Sequence, residues 1–414
     1  MESARLDNGM TVVTERMPDV RSVTTGFWVG TGSRDEDDPA AGASHFLEHL
    51  LFKGTGTRSA RDIAEAVDAV GGDLNAFTTK EYTAFYVRVL SGSLDLGLDI
   101  LSDIMWAPAF RSDEVEAERQ VILEEILMRA DEPADLVHEV FTEALYPNHP
   151  LGRDVLGDEA TIGAMSRDEI ASFHRRHYRP ANIVVAAAGD LDHDKVVEGI
   201  ERRFAGPPGG SAPPRAAPAG TPARLAVVHR PTEQAHVVIG VPALDRDDER
   251  RYALAVLEHV LGGGMSSRLF QEIRETRGLA YSVYSYRSSY QGAGALAVYA
   301  GTAPGRAREV IGLIHDELDR IRDGGITERE LRLAQGHLRG STALSLEDSG
   351  ARMSRLGRSQ LVHGRVPTLD EVDRRLGSVG LDEVAEVAAE VLGSPRTLAV
   401  VGPFTTENLA DLAT

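Results

Sequence analysis

Three residues that could bind a metal ion and move a proton lie close together in the sequence: His45, Glu48 and His49. In an α-helix, positions i, i+3 and i+4 project from one face, so both imidazoles can reach the same ion. Neutral imidazole nitrogens suit zinc, and a carboxylate that is not itself a ligand can accept a proton from an attacking water. The spacing therefore predicts a zinc hydrolase site with a general base beside the metal.

The residues around this motif favour a buried helix. Apolar side chains surround the three polar ones: Phe46, Leu47, Leu50, Leu51 and Phe52. A buried polar group needs a partner, and a metal ion would supply one. This context favours a metal site over the alternative, which is a chance pair of histidines.

A second predicted helix, from residue 112 to about residue 128, carries candidates for the third metal ligand. Glu118 and Glu125 are seven residues apart, and two helical turns return them to the same face. A catalytic zinc ion needs three protein ligands and one open position, and the third ligand is often a carboxylate from a separate helix. Glu125 is our candidate. The alternative is that Glu118, Glu124 and Glu125 form a solvated charged face.

The composition is that of an ordinary soluble globular protein, with 414 residues, 42% hydrophobic and 26% charged. Because cysteine is absent, any metal must be held by His, Asp or Glu. The formal net charge of −20 argues against nucleic acid or an anionic membrane as a partner, and weakly favours basic peptides. We find neither an apolar run of membrane-spanning length nor a signal-peptide pattern, so we expect a cytoplasmic protein.

The second half of the chain restates the first. Leu257-Glu258-His259 repeats Leu47-Glu48-His49 after 210 residues, and similar predicted strands flank both copies. At that offset Ala255 replaces His45, so only the first half should bind a metal ion.

A stretch rich in Pro, Gly and Ala separates the two halves and is predicted to be an exposed linker. We therefore predict a catalytic zinc-binding domain at residues 1–205, a linker at residues 206–222 and a homologous domain without metal at residues 223–414.

Four stretches of the sequence resemble the M16 metallopeptidases, the pitrilysin or insulinase type, and in particular bacterial relatives of the mitochondrial processing peptidase β-subunit. The resemblance covers nearly the whole chain and is carried by residues 45–55, 118–125, 149–153 and 274–281. It implies that His45, His49 and Glu125 bind one Zn²⁺ per chain and that Glu48 is the base. It also implies that Glu118 supports the site from behind the ligands.

The family fold implied by this resemblance is α+β, with two homologous tandem domains that enclose a peptide chamber. Each domain would be an antiparallel sheet packed with helices. Asn75 and Ala76 lie where relatives offer a strand edge to an extended peptide, which would satisfy the peptide backbone whatever its sequence. The alternative for Asn75 is a turn residue after the preceding glycines.

Two residues of the second half match an arginine and a tyrosine of the family, Arg274 and Tyr281. By resemblance they would donate hydrogen bonds to the peptide carbonyl as it becomes an oxyanion. The alternatives are a surface helix residue for Arg274 and a half-buried strand aromatic for Tyr281. The glycine-rich loop at residues 262–264 is shorter than that of non-catalytic processing-peptidase subunits, which favours a self-sufficient bacterial-type enzyme.

Asp135 and Glu139 follow Glu125 by ten and fourteen residues, on a predicted helix entered through Pro133. The resembled processing peptidases use acids in this register to bind a substrate arginine. An ordinary solvated helix face is the alternative.

The function implied is that of a zinc endopeptidase acting on extended peptides or presequence-like segments. The alternative is a structural or peptide-binding subunit that needs a partner or has no activity. We expect a homodimer or a heterodimer with a related M16 subunit.

Overall fold

The computed structural model of this chain, which describes residues 1–204 and 208–413, combines two sheets with helices. One sheet has six strands in the order β1-β2-β6-β3-β5-β4, and the other has five in the order β7-β11-β8-β10-β9. The strands are β1 (Glu2–Arg5), β2 (Thr11–Arg16), β3 (Ser22–Val29), β4 (Asp73–Thr78), β5 (Thr83–Leu90), β6 (Ile183–Gly189), β7 (Leu225–His229), β8 (Ala235–Pro242), β9 (Ala280–Tyr290), β10 (Ala293–Thr302) and β11 (Thr397–Gly402).

Helices flank both sheets, and a π-helical segment, Phe270–Thr276, precedes β9. No helix in the described part of the chain combines the length and the apolar character that crossing a membrane requires. The helices are α1 (Ala43–Leu51), α2 (Ala60–Asp68), α3 (Leu94–Trp106), α4 (Ser112–Ala130), α5 (Pro133–Leu145), α6 (Glu159–Ala164), α7 (Arg167–His177), α8 (His193–Arg203), α9 (Arg251–Gly262), α10 (Ala307–Gly324), α11 (Glu328–Ser345), α12 (Ser349–His363), α13 (Leu369–Ser378), α14 (Leu381–Leu392) and α15 (Thr406–Leu409).

The predicted α+β class is confirmed, with one difference in the sheets. Most neighbouring strands are antiparallel, but β2 pairs with β6 and β7 pairs with β11 in parallel. A parallel pair needs a long crossover connection, and in each case helices lie between the two strands along the chain.

The chain divides into two compact units, and each unit contains segments from both halves of the sequence. Unit 1 comprises Met1–Ile126, Asp154–Arg215 and Ala343–Pro367. Unit 2 comprises Leu127–Arg153, Ala216–Thr342 and Thr368–Thr414. The predicted boundary at residues 205 and 206 lies outside the described residues. The predicted limits also separate α5 and α12 from the sheets on which they pack.

In unit 1 the sheet is covered on both faces. Alternate strand residues, such as Phe27 and Phe85, face a core shared with α1, α3 and α7. The other face, with Trp28 at its centre, is covered by α12 through Met353 and Leu356.

Unit 2 has the same layers. Helices α9, α10 and α14 cover one face of its sheet. The other face is covered by α5 through Val137, Phe141 and Leu145.

Candidate metal centre

Helix α1 carries both predicted histidine ligands, and its start is fixed by two features. Gly42 has φ of 93°, a left-handed conformation that favours glycine, and a Cβ there would lie 2.5 Å from the Leu156 carbonyl oxygen. The buried Glu36 carboxylate accepts hydrogen bonds from the Gly42 N–H at 2.8 Å and the Ser44 N–H at 2.7 Å. These are groups that a helix cannot satisfy internally, so Glu36 determines where α1 begins.

The structure brings His45, His49 and Glu125 together, with one ligand atom from each within 4.8 Å of the others. The Nε2 atoms of His45 and His49 each lie 3.7 Å from Glu125 Oε2. A tetrahedral zinc ion with bonds of about 2.0–2.1 Å would hold such atoms roughly 3.4 Å apart. Two imidazole nitrogens and one carboxylate oxygen also match the donors of catalytic zinc sites. The three residues therefore fit a zinc ion.

Glu118 lies directly behind this group and is 5% exposed. Its Oε2 is 3.0 Å from His49 Nδ1, and its Oε1 is 2.7 Å from Lys53 Nζ. An ionised carboxylate can only accept, so His49 Nδ1 carries the proton and the Nε2 lone pair is left for a metal. The resemblance had assigned a supporting role to Glu118. The role of Lys53 was not predicted, although Lys53 belongs to the motif.

Glu48 lies outside the group of three ligands and is half-buried. Burial raises the pKa of its carboxyl above the ordinary value, while hydrogen bonds from Thr78 and the nearby His49 act in the opposite direction. Thr78 is the last residue of β4, so the end of that strand lies against α1 at the predicted base. Sequence reasoning missed Thr78, because nothing local marks a strand end as a neighbour of a distant helix.

Asn75 and Ala76 lie within β4, so the alternative of a turn at Asn75 is wrong. Strand β4 forms one edge of the sheet of unit 1. The exposed Asn75 accepts a hydrogen bond from the Ala76 N–H through its Oδ1, at 2.8 Å. An edge strand presents backbone groups that can pair with an added peptide strand.

Arg274 and Tyr281 lie together in unit 2. The Arg274 guanidinium carbon is 4.8 Å from the ring centre of Tyr281 and 4.8 Å from that of Phe270. Tyr281 begins the exposed side of β9 and is 81% exposed, so it is not the half-buried strand aromatic of the alternative. Their action on a substrate stays a prediction.

Asp135 and Glu139 both lie on α5, which belongs to unit 2. The Glu139 carboxylate forms an ion pair with Arg129, at 2.5 Å from its Nε atom. Asp135 is exposed. A substrate cation would therefore compete with Arg129 for Glu139, whereas Asp135 is accessible.

The fold and the site define a two-unit α+β protein with a His-His-Glu group in its first unit that could hold a metal ion. Sequence profiles of two family domains match the chain: "Insulinase (Peptidase family M16)" over residues 11–159 and "Peptidase M16 inactive domain" over residues 164–338. A protein of Streptomyces coelicolor named an uncharacterized zinc protease is 48% identical over 408 residues, which is 96% of this chain and 89% of that protein. The chain belongs to peptidase family M16.

Further relatives agree with this assignment. The Bacillus subtilis protein YmxG, also named a zinc protease, is 41% identical over 397 residues, covering 96% of this chain and 97% of that protein. Two solved structures share the fold. They are a peptidase M16 inactive domain from Pseudomonas fluorescens (TM-score 0.90, 21% identity, 98% of each chain) and a protease from Helicobacter pylori (TM-score 0.88, 24% identity, 97% of this chain and 99% of that chain). The predicted M16 membership is confirmed. The closer relation to processing-peptidase β-subunits stays a prediction.

Proposed function

We propose that this protein is a zinc-dependent endopeptidase that hydrolyses extended peptides, with Glu48 as the general base. The observation that carries the proposal is the grouping of His45, His49 and Glu125, with Glu48 on the same helix as the two histidines. The names of the relatives, which describe zinc proteases, support it.

The residues around the site divide the chemistry between them. Zinc held by the three ligands would act as a Lewis acid on the scissile carbonyl. Glu48 accepts a proton from the attacking water and later delivers it to the leaving amine. Its raised pKa makes the ionised carboxylate a stronger base.

Substrate binding is proposed to use the free edge of β4. A peptide that adds to this edge would pair its backbone with the strand near Asn75 and Ala76, so sequence preference would be broad. Arg274 and Tyr281 would stabilise the oxyanion. Asp135 would bind a basic side chain of the substrate near the cleavage site, and Glu139 would contribute less because it is paired with Arg129. A homodimer, or a heterodimer with a related M16 subunit, remains our expectation.

The test combines metal analysis with digestion of a peptide library and mass spectrometry of the products. We expect the native protein to contain zinc and to cleave peptides internally. His45→Ala should lose zinc and activity, whereas Glu48→Gln should keep zinc and retain only a small fraction of turnover, because an amide cannot take the proton.

Glu258→Gln provides a matched control, since Glu258 occupies the corresponding position in the repeated Leu-Glu-His stretch of the second half. It should leave turnover unchanged. Substantial peptidase activity in Glu48→Gln would contradict the assignment of the base. A native protein that binds zinc but cleaves nothing would favour the partner-dependent subunit.

A further inference from the structure

The segment predicted to be an exposed linker contains a buried arginine. Arg215 is the last residue of the second segment of unit 1, and its side chain is only 7% exposed. Its Nε and Nη2 atoms donate to Asp35 Oδ1 at 2.8 Å and Oδ2 at 2.7 Å, and the Asp35 side chain is 0% exposed. This two-pronged contact is the strongest arrangement available to an arginine and a carboxylate. The prediction of a wholly exposed linker is therefore wrong at Arg215.

Arg215 also joins two backbone segments of unit 1. Its Nη2 atom donates to the Gly30 carbonyl at 3.2 Å, just after β3, and to the Glu81 carbonyl at 2.5 Å, between β4 and β5. The two segments bond to each other as well, since the Ser33 N–H donates to the Thr79 carbonyl at 3.1 Å. Arg215 thus closes a junction that neither segment forms alone.

A second buried ion pair completes the junction. Arg34 Nη1 lies 2.6 Å from Glu81 Oε1, and both side chains are buried. Arg215 Nη1 is 3.8 Å from the same carboxylate oxygen. Buried charges are costly unless each is paired and hydrogen-bonded, so this arrangement tolerates little displacement.

Both segments lead directly to the candidate site. Glu36, which follows Asp35, accepts from the N–H groups at the start of α1. The hydroxyl of Thr78, which precedes Thr79, donates to the carbonyl of Ser44 in α1, at 3.5 Å. The junction closed by Arg215 is therefore one residue away from the cap of α1, at Glu36, and one residue away from a second contact with the same helix, at Thr78.

We propose that Arg215 is a positioning residue. Its bonds to Asp35 and to the Gly30 and Glu81 carbonyls fix the two segments that hold α1, and with it Glu48, in the active geometry. The proposal rests on the proposed function for its effect on turnover. Its structural part concerns the start of α1 and does not depend on activity.

The test separates positioning from simple stabilisation by removing both buried charges. Arg215→Met alone would leave Asp35 buried without its partner and would destabilise the protein. The double variant Arg215→Met, Asp35→Leu removes both charges and should melt at a higher temperature than Arg215→Met alone, because no unpaired charge stays buried. We still expect kcat to fall by about 10- to 100-fold with little change in KM, since a displacement of about 1 Å has that effect.

A second measurement does not need activity. In protein stripped of zinc by a chelator, amide exchange at Gly42 and Ser44 should be faster in the double variant than in the native chain. Arg215→Lys keeps a charge opposite Asp35 but not the two-pronged contact. It should therefore lower kcat and speed amide exchange at Gly42 and Ser44, both by less than the double variant does. The matched control is Arg179→Met, because Arg179 Nη2 also holds this segment, through the Pro208 carbonyl at 2.9 Å, without contacting Asp35.

Native kcat and native exchange in both the double variant and Arg215→Lys would overturn the proposal. Equal losses in the Arg179→Met control would overturn it too, because they would show a general effect of loosening the segment. If the native protein cleaves no peptide, the proposed function fails, and amide exchange alone decides the role of Arg215.

Discussion

At the residue scale, Glu118 is predicted to support the candidate metal site through His49. It lies between His49 and Lys53, and each of its carboxylate oxygens faces one of these partners. The contact sets the tautomer of His49 and raises the basicity of its free nitrogen.

We therefore expect Glu118→Gln to lower zinc affinity by about 10- to 100-fold without unfolding the protein. Competition with a chelator of known affinity measures the change. Glu116→Gln is the control, because Glu116 lies on the same helix but is exposed and pairs with Arg119. Equal zinc affinities in the two variants would contradict the role of Glu118.

Tyr281 permits a second test at this scale. Its hydroxyl belongs to an exposed ring held against Arg274, so Tyr281→Phe removes one donor and little else. Loss of one oxyanion donor lowers turnover by about 10²- to 10³-fold, and we expect this fall with unchanged zinc content.

Tyr284→Phe, in the same strand, is the matched control and should retain turnover. A native turnover rate in Tyr281→Phe would contradict its role as an oxyanion donor.

The two histidines and Glu48 could be predicted from sequence because their spacing along one helix is a local relation. His45, Glu48 and His49 share one helix face by periodicity alone, and Glu125 followed from the family motif. Arg215 could not be predicted, because its composition-biased surroundings indicate an exposed segment, and its partner Asp35 is 180 residues away.

At the scale of elements, each sheet is covered on one face by a helix from the other half of the sequence. Helix α5, from the first half, packs in unit 2, and helix α12, from the second half, packs in unit 1. Helix α12 fits closely against β3: Trp28 Nε1 lies 3.2 Å from Met353 Sδ, and a Cβ on Gly357 would lie 2.2 Å from Trp28 Nε1. Burial of a side chain such as Met353 or Leu356 contributes about 1.5–3 kcal/mol, a large fraction of the 5–15 kcal/mol typical of a domain.

A fragment of residues 1–215 should therefore be unstable alone, with an exposed apolar face that binds a hydrophobic dye. Fusing residues 343–367 to it through a flexible linker should restore zinc binding and lower dye binding, because α12 covers the face around Trp28 again. Size-exclusion chromatography, dye binding and metal analysis measure the effect.

The same fusion with Gly357→Leu is the control and should behave like the fragment alone, because no side chain fits against Trp28. A fragment of residues 1–215 that is monomeric and binds zinc without the added helix would contradict the contribution of α12.

The helix predicted from residue 112 to about residue 128 is confirmed as α4, and the helix entered through Pro133 as α5. Strand β1 was missed because its residues are polar and largely exposed. The packing of α5 and α12 on the other unit's sheet was missed for a different reason. An amphipathic pattern predicts that a helix packs on a sheet, but it does not indicate which sheet.

At the scale of the whole molecule, the two units share one layered plan but differ in chemistry. In the described residues, the group that fits zinc lies in unit 1. The corresponding helix of unit 2, α9, keeps Glu258 and His259 but has Ala255 in place of the first histidine. The absence of metal binding in the second half stays a prediction.

Zinc should therefore stabilise unit 1 selectively. At a free zinc concentration of 1,000 times Kd, the free energy of unfolding should rise by about 4 kcal/mol. We expect amide exchange to slow throughout unit 1, including residues 343–367, and to change little in unit 2. Mass spectrometry with and without a chelator tests this, with peptides from β8 and β10 as internal controls. Protection confined to α1 and α4 would contradict a cooperative unit 1.

The position of α12 near the end of the chain has a consequence for synthesis on the ribosome. The last strand of the first sheet ends at Gly189, but the helix that covers Trp28 ends only at His363. At about 5–20 residues per second, translation needs roughly 10–35 s to cover that interval. The nascent chain therefore carries an uncovered apolar sheet face for that time, a target for chaperones, and the unit that holds the metal ligands is completed only late in translation.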